Sequence, residues 1–328
     1  MSSTTTQTRV SYFGKIPSRG DFIKAADNLP LIEILDQWLA QTMALLSEDP
    51  RWKIAYDNAK PLDFAFVGPR KKRAIAGHII ASADMAQRRF PFLTMSEMEI
   101  EDTEEFVCAS PIILSRLWNR LATHGVNILS SSDAAMPLQS LSSTRIDLEL
   151  RNHGYQAAFA DFLEMQTIGS LNSMLSQAGF KGNACQLILA LGLLLQPVMM
   201  SNNSRLEKSI VLPLPLDPMY RYLVGGLWMH LITPFVSRAD FELALFITKL
   251  DQYPALILGF NGASPETLQA ILDSHFGESL HISFDDAHWV DAQVNSDYGL
   301  KKLSSYLVQP DLSLKSALDS FGTTFIGA

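Results

Sequence analysis

The sequence predicts an α/β fold of the α+β kind, with mixed or antiparallel sheets flanked by helices and arranged as two packed subdomains. Three observations predict it. Apolar residues between Leu31 and Leu46 recur at helical spacing. The period shortens to that of strands over Leu62–Val67 and Ala74–Ala81. The same order, a helix followed by two strands, returns between Asp217 and Phe260. No residue motif recurs with that order, so it does not establish an internal duplication.

The elements follow in chain order. Residues 1–8 are polar and are expected to form a disordered tail. Arg9–Phe13 reads as a short strand that turns at Gly14 and Pro17. The helix over 31–46 has a cap residue in Asn28 and a proline, Pro30, suited to its first turn. Leu62–Val67 and Ala74–Ala81 flank Gly68-Pro69 and a basic tip as a long antiparallel hairpin. Phe90–Met95 is a third strand, and the acidic stretch Glu97–Glu105 leads into a helix over 106–124. Residues 130–145, rich in serine, read as a linker between an N-terminal domain (9–129) and a C-terminal helical and α/β domain (146–328). Helices are expected over 155–178 and 184–199. Ile210–Leu216 alternates leucine with Pro213 and Pro215, which suits an edge strand or strap. A long apolar helix starts after Asp217, and strands cover Phe241–Thr248 and Ala255–Phe260. Ser264-Pro265 caps a further helix. Residues 290–328 are weakly patterned and read as a short helix with a frayed end.

Of the 328 residues, 47% are apolar and 18% charged, enough apolar surface for a packed globule. Cys108 and Cys185 form neither a disulfide framework nor a zinc spacing, which matches a reducing cytoplasm. The start of the chain has no apolar segment of the signal-peptide kind. Residues 184–200 are short of the roughly 20 needed to span a bilayer, and Gln186, Gln196 and Pro197 interrupt them; a buried core helix is expected. A net charge of −8 argues against bulk attraction to nucleic acid. The basic run Arg70–Arg73 reads as a solvated loop tip.

Candidate chemistry is sparse. Gly14-Lys15 lacks the earlier glycine of a phosphate-binding loop, and Pro17 removes a backbone donor that phosphate would need. Arg19-Gly20-Asp21 is an adhesion motif only outside the cell. Here Gly20 permits a turn and Asp21 accepts nearby N–H groups. His281, Asp285, Asp286 and His288 are the densest set of metal-capable side chains but lack a standard spacing, so a solvent-facing acidic turn is expected. His78, among apolar strand residues, reads as a core or interface histidine. No serine-nucleophile elbow or zinc-protease motif occurs. No catalytic residue, metal or cofactor is expected.

Tyr12-Phe13-Gly14-Lys15-Ile16-Pro17-Ser18-Arg19-Gly20-Asp21-Phe22 resembles the opening signature of the TagF family, also called ImpM, which accompanies bacterial type VI secretion systems. The likeness continues through Asp36, Trp38 and Leu39, then Asp63–Phe66, then Gly77, Ser82, Asp84, Arg88, Phe90 and Pro91. Gln87 departs from it, standing where the family has glycine, and this argues against a positive-φ backbone there. The resemblance is specific over about 12–95 and fainter over 211–272. It implies a cytoplasmic post-translational repressor that binds the forkhead-associated scaffold protein Fha and is not an enzyme. Some relatives are fused to a PppA-like phosphatase, whose metal motif this chain lacks. The alternatives are an assembly component of the secretion complex and an unrecognised hydrolase. Gly14, Lys15, Pro17, Ser18, Arg19, Asp21, Phe22, Ser82, Asp84, Arg88, Phe90 and Pro91 are the candidate residues, as partner-binding surface or as scaffold. Lys15, Arg19 and Arg88 are expected to face outward, with Asp84 or Asp21 as an alternative partner for Arg88. On that expectation, glutamate at both Lys15 and Arg19 weakens binding without unfolding the chain.

Overall fold

A computed structural model describes residues 4–151, 153–200, 206–250 and 253–327. In chain order the strands are β1 (Thr4–Arg9), β2 (Ser11–Gly14), β3 (Ile23–Ala25), β4 (Leu62–Val67), β5 (Arg73–Ile80), β6 (Phe92–Glu99), β7 (Arg145–Arg151), β8 (Ser209–Pro213), β9 (Leu243–Leu250), β10 (Tyr253–Gly259) and β11 (His281–Ile282). Among the described residues, nine of them form one mixed sheet in the order β11-β8-β10-β9-β4-β5-β6-β2-β3, and β1 pairs with β7 as a separate ribbon. Every pairing in the large sheet is antiparallel except the short β8–β11 contact.

The two halves of the chain meet inside this sheet. β4 pairs antiparallel with β9, Asp63 opposite Ile247 and Val67 opposite Leu243. The buried side chains of both halves form one contiguous core. Residues 130–145 are not an extended linker: α3 (Thr103–Ser130) runs into them and α4 (Ala135–Ser143) follows, with Leu138 and Leu141 buried. The serines there occupy the outer face of a short helix whose leucines pack inward.

Helices cover both faces of the sheet. α1 (Leu29–Leu46) begins as expected, with the Asn28 side chain accepting the Leu31 N–H. Its Trp38 ring packs on Phe64, Phe66 and Phe246, spanning the β4–β9 join, and its indole N–H donates to the Ser264 carbonyl. α2 (Trp52–Asn58) follows α1, and α9 (Pro265–Leu272) packs beside α1, capped by Ser264. On the opposite face lie α3 and α8 (Pro218–Val236). Trp118 of α3 donates to the Phe64 carbonyl, and Trp228 of α8 to that of Pro213. The two helices approach closely where Gly225 and Gly226 meet Pro111 and Ile112; a Cβ on Gly226 would lie 2.8 Å from Ile112 Cδ1.

The expected helix over 155–178 is two, α5 (His153–Met165) and α6 (Ile168–Ala178), broken where Thr167 forms a capping box with Ser170. α7 (Ala184–Met200) is a core helix. β8 is not an edge strand, because two residues of β11 add to its free side. After the single turn of α10 (Gly277–Leu280), the chain continues as α11 (Trp289–Ser296), α12 (Tyr298–Leu307) and α13 (Leu314–Phe325). This corrects the expected frayed end. Leu314, Phe321 and Phe325 are buried, and the Phe325 ring occupies the space a side chain on Gly192 would need. The expected disordered tail is likewise ordered from Thr4: its β-branched threonines pair with β7, and the Thr8 hydroxyl donates to the Glu97 carbonyl at 2.8 Å.

Candidate functional site

The signature residues converge at the β2–β3 end of the sheet. Gly14 pairs with Phe92 of β6, at φ +130°. A Cβ there would fall 2.0 Å from the Pro91 carbonyl oxygen, so only glycine lets the two strands close up. This closure sets the loop 82–91 against the turn 15–22.

Asp84 organises both. Its carboxylate is fully buried. Oδ1 accepts the backbone N–H groups of Ala86 at 3.0 Å and Arg88 at 2.9 Å. Oδ2 accepts Arg88 Nε at 2.7 Å and lies 3.1 Å from Lys15 Nζ. Burial raises the pKa of this carboxyl, but the Arg88 N–H and the side chains of Lys15 and Arg88 outweigh burial and hold it down at about 2. Arg88 Nη2 also donates to the Gly20 carbonyl at 2.6 Å, so one guanidinium links the loop and the turn. The i, i+4 pairing of Asp84 with Arg88, one of two partners foreseen from the sequence, is the one formed.

Two expectations change here. Lys15 does not face outward: it is 7% exposed, with its ammonium between Asp84 and the Phe22 ring, 4.8 Å from the ring centroid. Gln87 does take a positive φ, +60°, although it is not glycine. The conformation follows from the Asp84 hydrogen bonds. The Gln87 N–H donates to the Asp84 carbonyl at 2.8 Å and the next N–H, of Arg88, turns back to the carboxylate. Gly20 needs no unusual φ, and a Cβ there would meet the Met85 methyl at 4.0 Å, an ordinary contact.

The remaining signature residues divide between support and surface. Phe90 and Pro91 are buried; Phe90 packs edge-on to Phe13 at 5.8 Å and to Phe22 at 4.8 Å. The Ser82 backbone is held at both its N–H and C=O by the buried Tyr56 hydroxyl. The hydroxyls of Ser18 and Ser82 are buried without a hydrogen-bond partner. Pro17, Gly20, Asp21, Phe22 and Arg88 reach the surface. Asp21 accepts the Phe22 N–H, as its position in a turn predicts. Arg19 forms an exposed ion pair with Asp133 at 3.4 Å. Met85, beside Gln87, is 65% exposed; nothing in the sequence singled it out.

The other candidates lie elsewhere. His78 is buried under α3 with Nδ1 2.6 Å from Asp63 Oδ1; burial raises the Asp63 pKa against the pull of His78. His281 Nδ1 lies 2.6 Å from the Ser209 hydroxyl, its Nε2 is buried without a partner, and burial pushes its pKa down to about 4. Asp285 accepts from Tyr253 and Ser283, while His288 sits beside Gln186 and Asp291. Asp286 accepts the His288 backbone N–H, at 3.4 Å, so the four metal-capable side chains do not converge, and His281 is not on a solvent-facing turn. Among the described residues no group of three or more His, Cys, Asp or Glu side chains is placed to hold a metal ion. The basic tip is not simply solvated: Arg70 donates to the Arg238 carbonyl, Lys71 pairs with Asp240 and Glu242, and Arg73 pairs with Glu97. Among the described residues, no helix is long and apolar enough to cross a membrane.

Comparison with known proteins places this site. Residues 11–144 match the family model of the TagF N-terminal domain, described as type VI secretion system-associated. No curated protein matches the chain. Among solved structures, the crystal structure of PA0076 from Pseudomonas aeruginosa PAO1 at 2.05 Å resolution is similar, with 20% identity and a TM-score of 0.34. That match covers 41% of this chain and spans 61% of the length of the other. The loop, the turn and the buried Lys15–Asp84–Arg88 cluster all fall within residues 11–144, the part of the chain that matches the type VI secretion system-associated TagF N-terminal domain.

Proposed function

We propose that this chain is a cytoplasmic, post-translational repressor of type VI secretion that acts by binding a protein partner, the Fha scaffold protein, and not by catalysis. The observation that carries this reading is how the domain's signature is used. The buried Asp84 engages both Lys15 and Arg88, which rigidifies a loop whose exposed face carries Phe22, Met85 and Gln87 beside the charged Asp21 and Arg88. A rigid, partly apolar surface suits protein recognition. The type VI association of the matched domain supports a partner within that system.

Deleting the gene tests the reading directly. Loss of a repressor raises effector release, whereas loss of an assembly component abolishes it. Co-purification of the full chain with Fha from a lysate, and its recovery with purified Fha, tests the partner. Release that falls on deletion overturns the repressor role.

A further inference from the structure

We infer that Met85, Gln87 and Phe22 form an anchoring knob that inserts into an apolar concavity on the protein partner; this rests on the binding role proposed above. The knob is exposed and preorganised. The backbone N–H groups of Met85, Ala86, Gln87 and Arg88 all point inward, to the Arg19 carbonyl, the Asp84 carboxylate and the Asp84 carbonyl. Its tip therefore offers side chains outward and keeps its donors satisfied. Gln87 holds a left-handed conformation that a non-glycine residue adopts at a cost, and such conformations persist where surrounding structure enforces them, often at recognition sites.

The apolar groups sit on the facing loop and turn. Met85 lies over Gly20, and Phe22 follows two residues later, 44% exposed and stacked on Phe13 at 5.5 Å. Ring stacking presets Phe22, so little side-chain freedom remains to be lost on binding. The same geometry selects the partner's chemistry. The nearby cations are already engaged, Lys15 and Arg88 by Asp84 and Arg19 by Asp133, which leaves weak attraction for phosphate or for an acidic peptide. A protruding methionine and phenylalanine on a rigid platform fit a dry pocket, where buried anchors dominate binding.

The test uses the full chain and purified Fha, with Kd and melting temperature measured together for Met85→Ser, Met85→Leu and Gln87→Gly. Met85→Ser is expected to weaken binding about tenfold or more, with Met85→Leu restoring most of it and the melting temperature unchanged for both. Gln87→Gly is expected to keep or raise the melting temperature while weakening binding, because it relieves the strain and loosens the tip. If all three variants bind Fha like the wild type, the knob is wrong and the proposed function stands. If the wild type itself does not bind Fha in this assay, the proposed partner and the knob both fail. If anionic phospholipid vesicles bind the wild type but not Met85→Ser, the knob belongs to a membrane contact and the protein-pocket proposal is overturned.

Discussion

Lys15 and Arg19 stand four residues apart in one signature yet do different work. Lys15 is one of two cations on a buried carboxylate, so Lys15→Glu sets two carboxylates against each other and should cost about 3–5 kcal/mol, read as a fall in the urea midpoint. Arg19→Glu breaks only an exposed pair with Asp133 and should stay within about 1 kcal/mol of wild type. The double glutamate variant therefore reports unfolding and cannot test binding. The glycines separate in the same way. Gly14→Ala meets the Pro91 carbonyl at a positive φ and should lose about 3 kcal/mol or more, whereas Gly20→Ala meets only ordinary contact and should unfold like wild type. Acid titration has two windows. His281, lowered from 6.5 to about 4, is kept neutral by folding, so the stability it contributes is present above pH 6.5 and drains as pH falls toward 4. Asp84, lowered from 3.8 to about 2, contributes stability present above pH 3.8 and lost as pH falls toward 2. His281→Gln should shrink the first window, to which His124 and His230, also lowered by burial, contribute, and Asp84→Asn should shrink the second, in unfolding curves taken at stepped pH. At this scale the Asp84–Arg88 pair was legible from its spacing. Lys15 was not, because its partner lies far along the chain; the apolar neighbours Phe13 and Ile16 were the available hint of burial.

Among the elements, those with strong local signals were readable. β4 matches its predicted span, and the Asn28, Asp217 and Ser264 caps open α1, α8 and α9 where the sequence placed them. The misses share one cause: their structure comes from distant partners. β1 is polar and forms a strand only by pairing with β7, and α4 hides two leucines in a serine-rich stretch. The C-terminal helices are short, but α13 is fixed by Phe321 and Phe325 packing on Phe235 of α8. Phe321→Ala should therefore destabilise the whole chain by about 3–5 kcal/mol in a single cooperative transition. A frayed end would show no change in the global midpoint, and that result would contradict the packing.

For the whole molecule, the helix and strand content was predictable, and the single sheet joining the halves was not. Nothing local in Leu62–Val67 says that its second neighbour is β9. The join predicts that residues 1–145 expressed alone will aggregate, because β4 would expose a bare edge and the Trp38 cluster would lose Phe246. Co-expression with residues 146–328 should return both to the soluble fraction; a soluble, monomeric 1–145 would contradict a shared core.

The β4–β9 join also sets a timetable. During synthesis β4 leaves the ribosome early, yet the partner of Asp63 is Ile247, made when most of the chain is already out. Until then an apolar, hydrogen-bond-hungry strand waits open, a non-local contact of the kind that slows folding and invites wrong pairings. Nascent chains halted just before β9 should be protease-sensitive and chaperone-bound, and those released just after it resistant. The supply of active protein is then governed by completed translation, so a truncated message yields no partly working fragment.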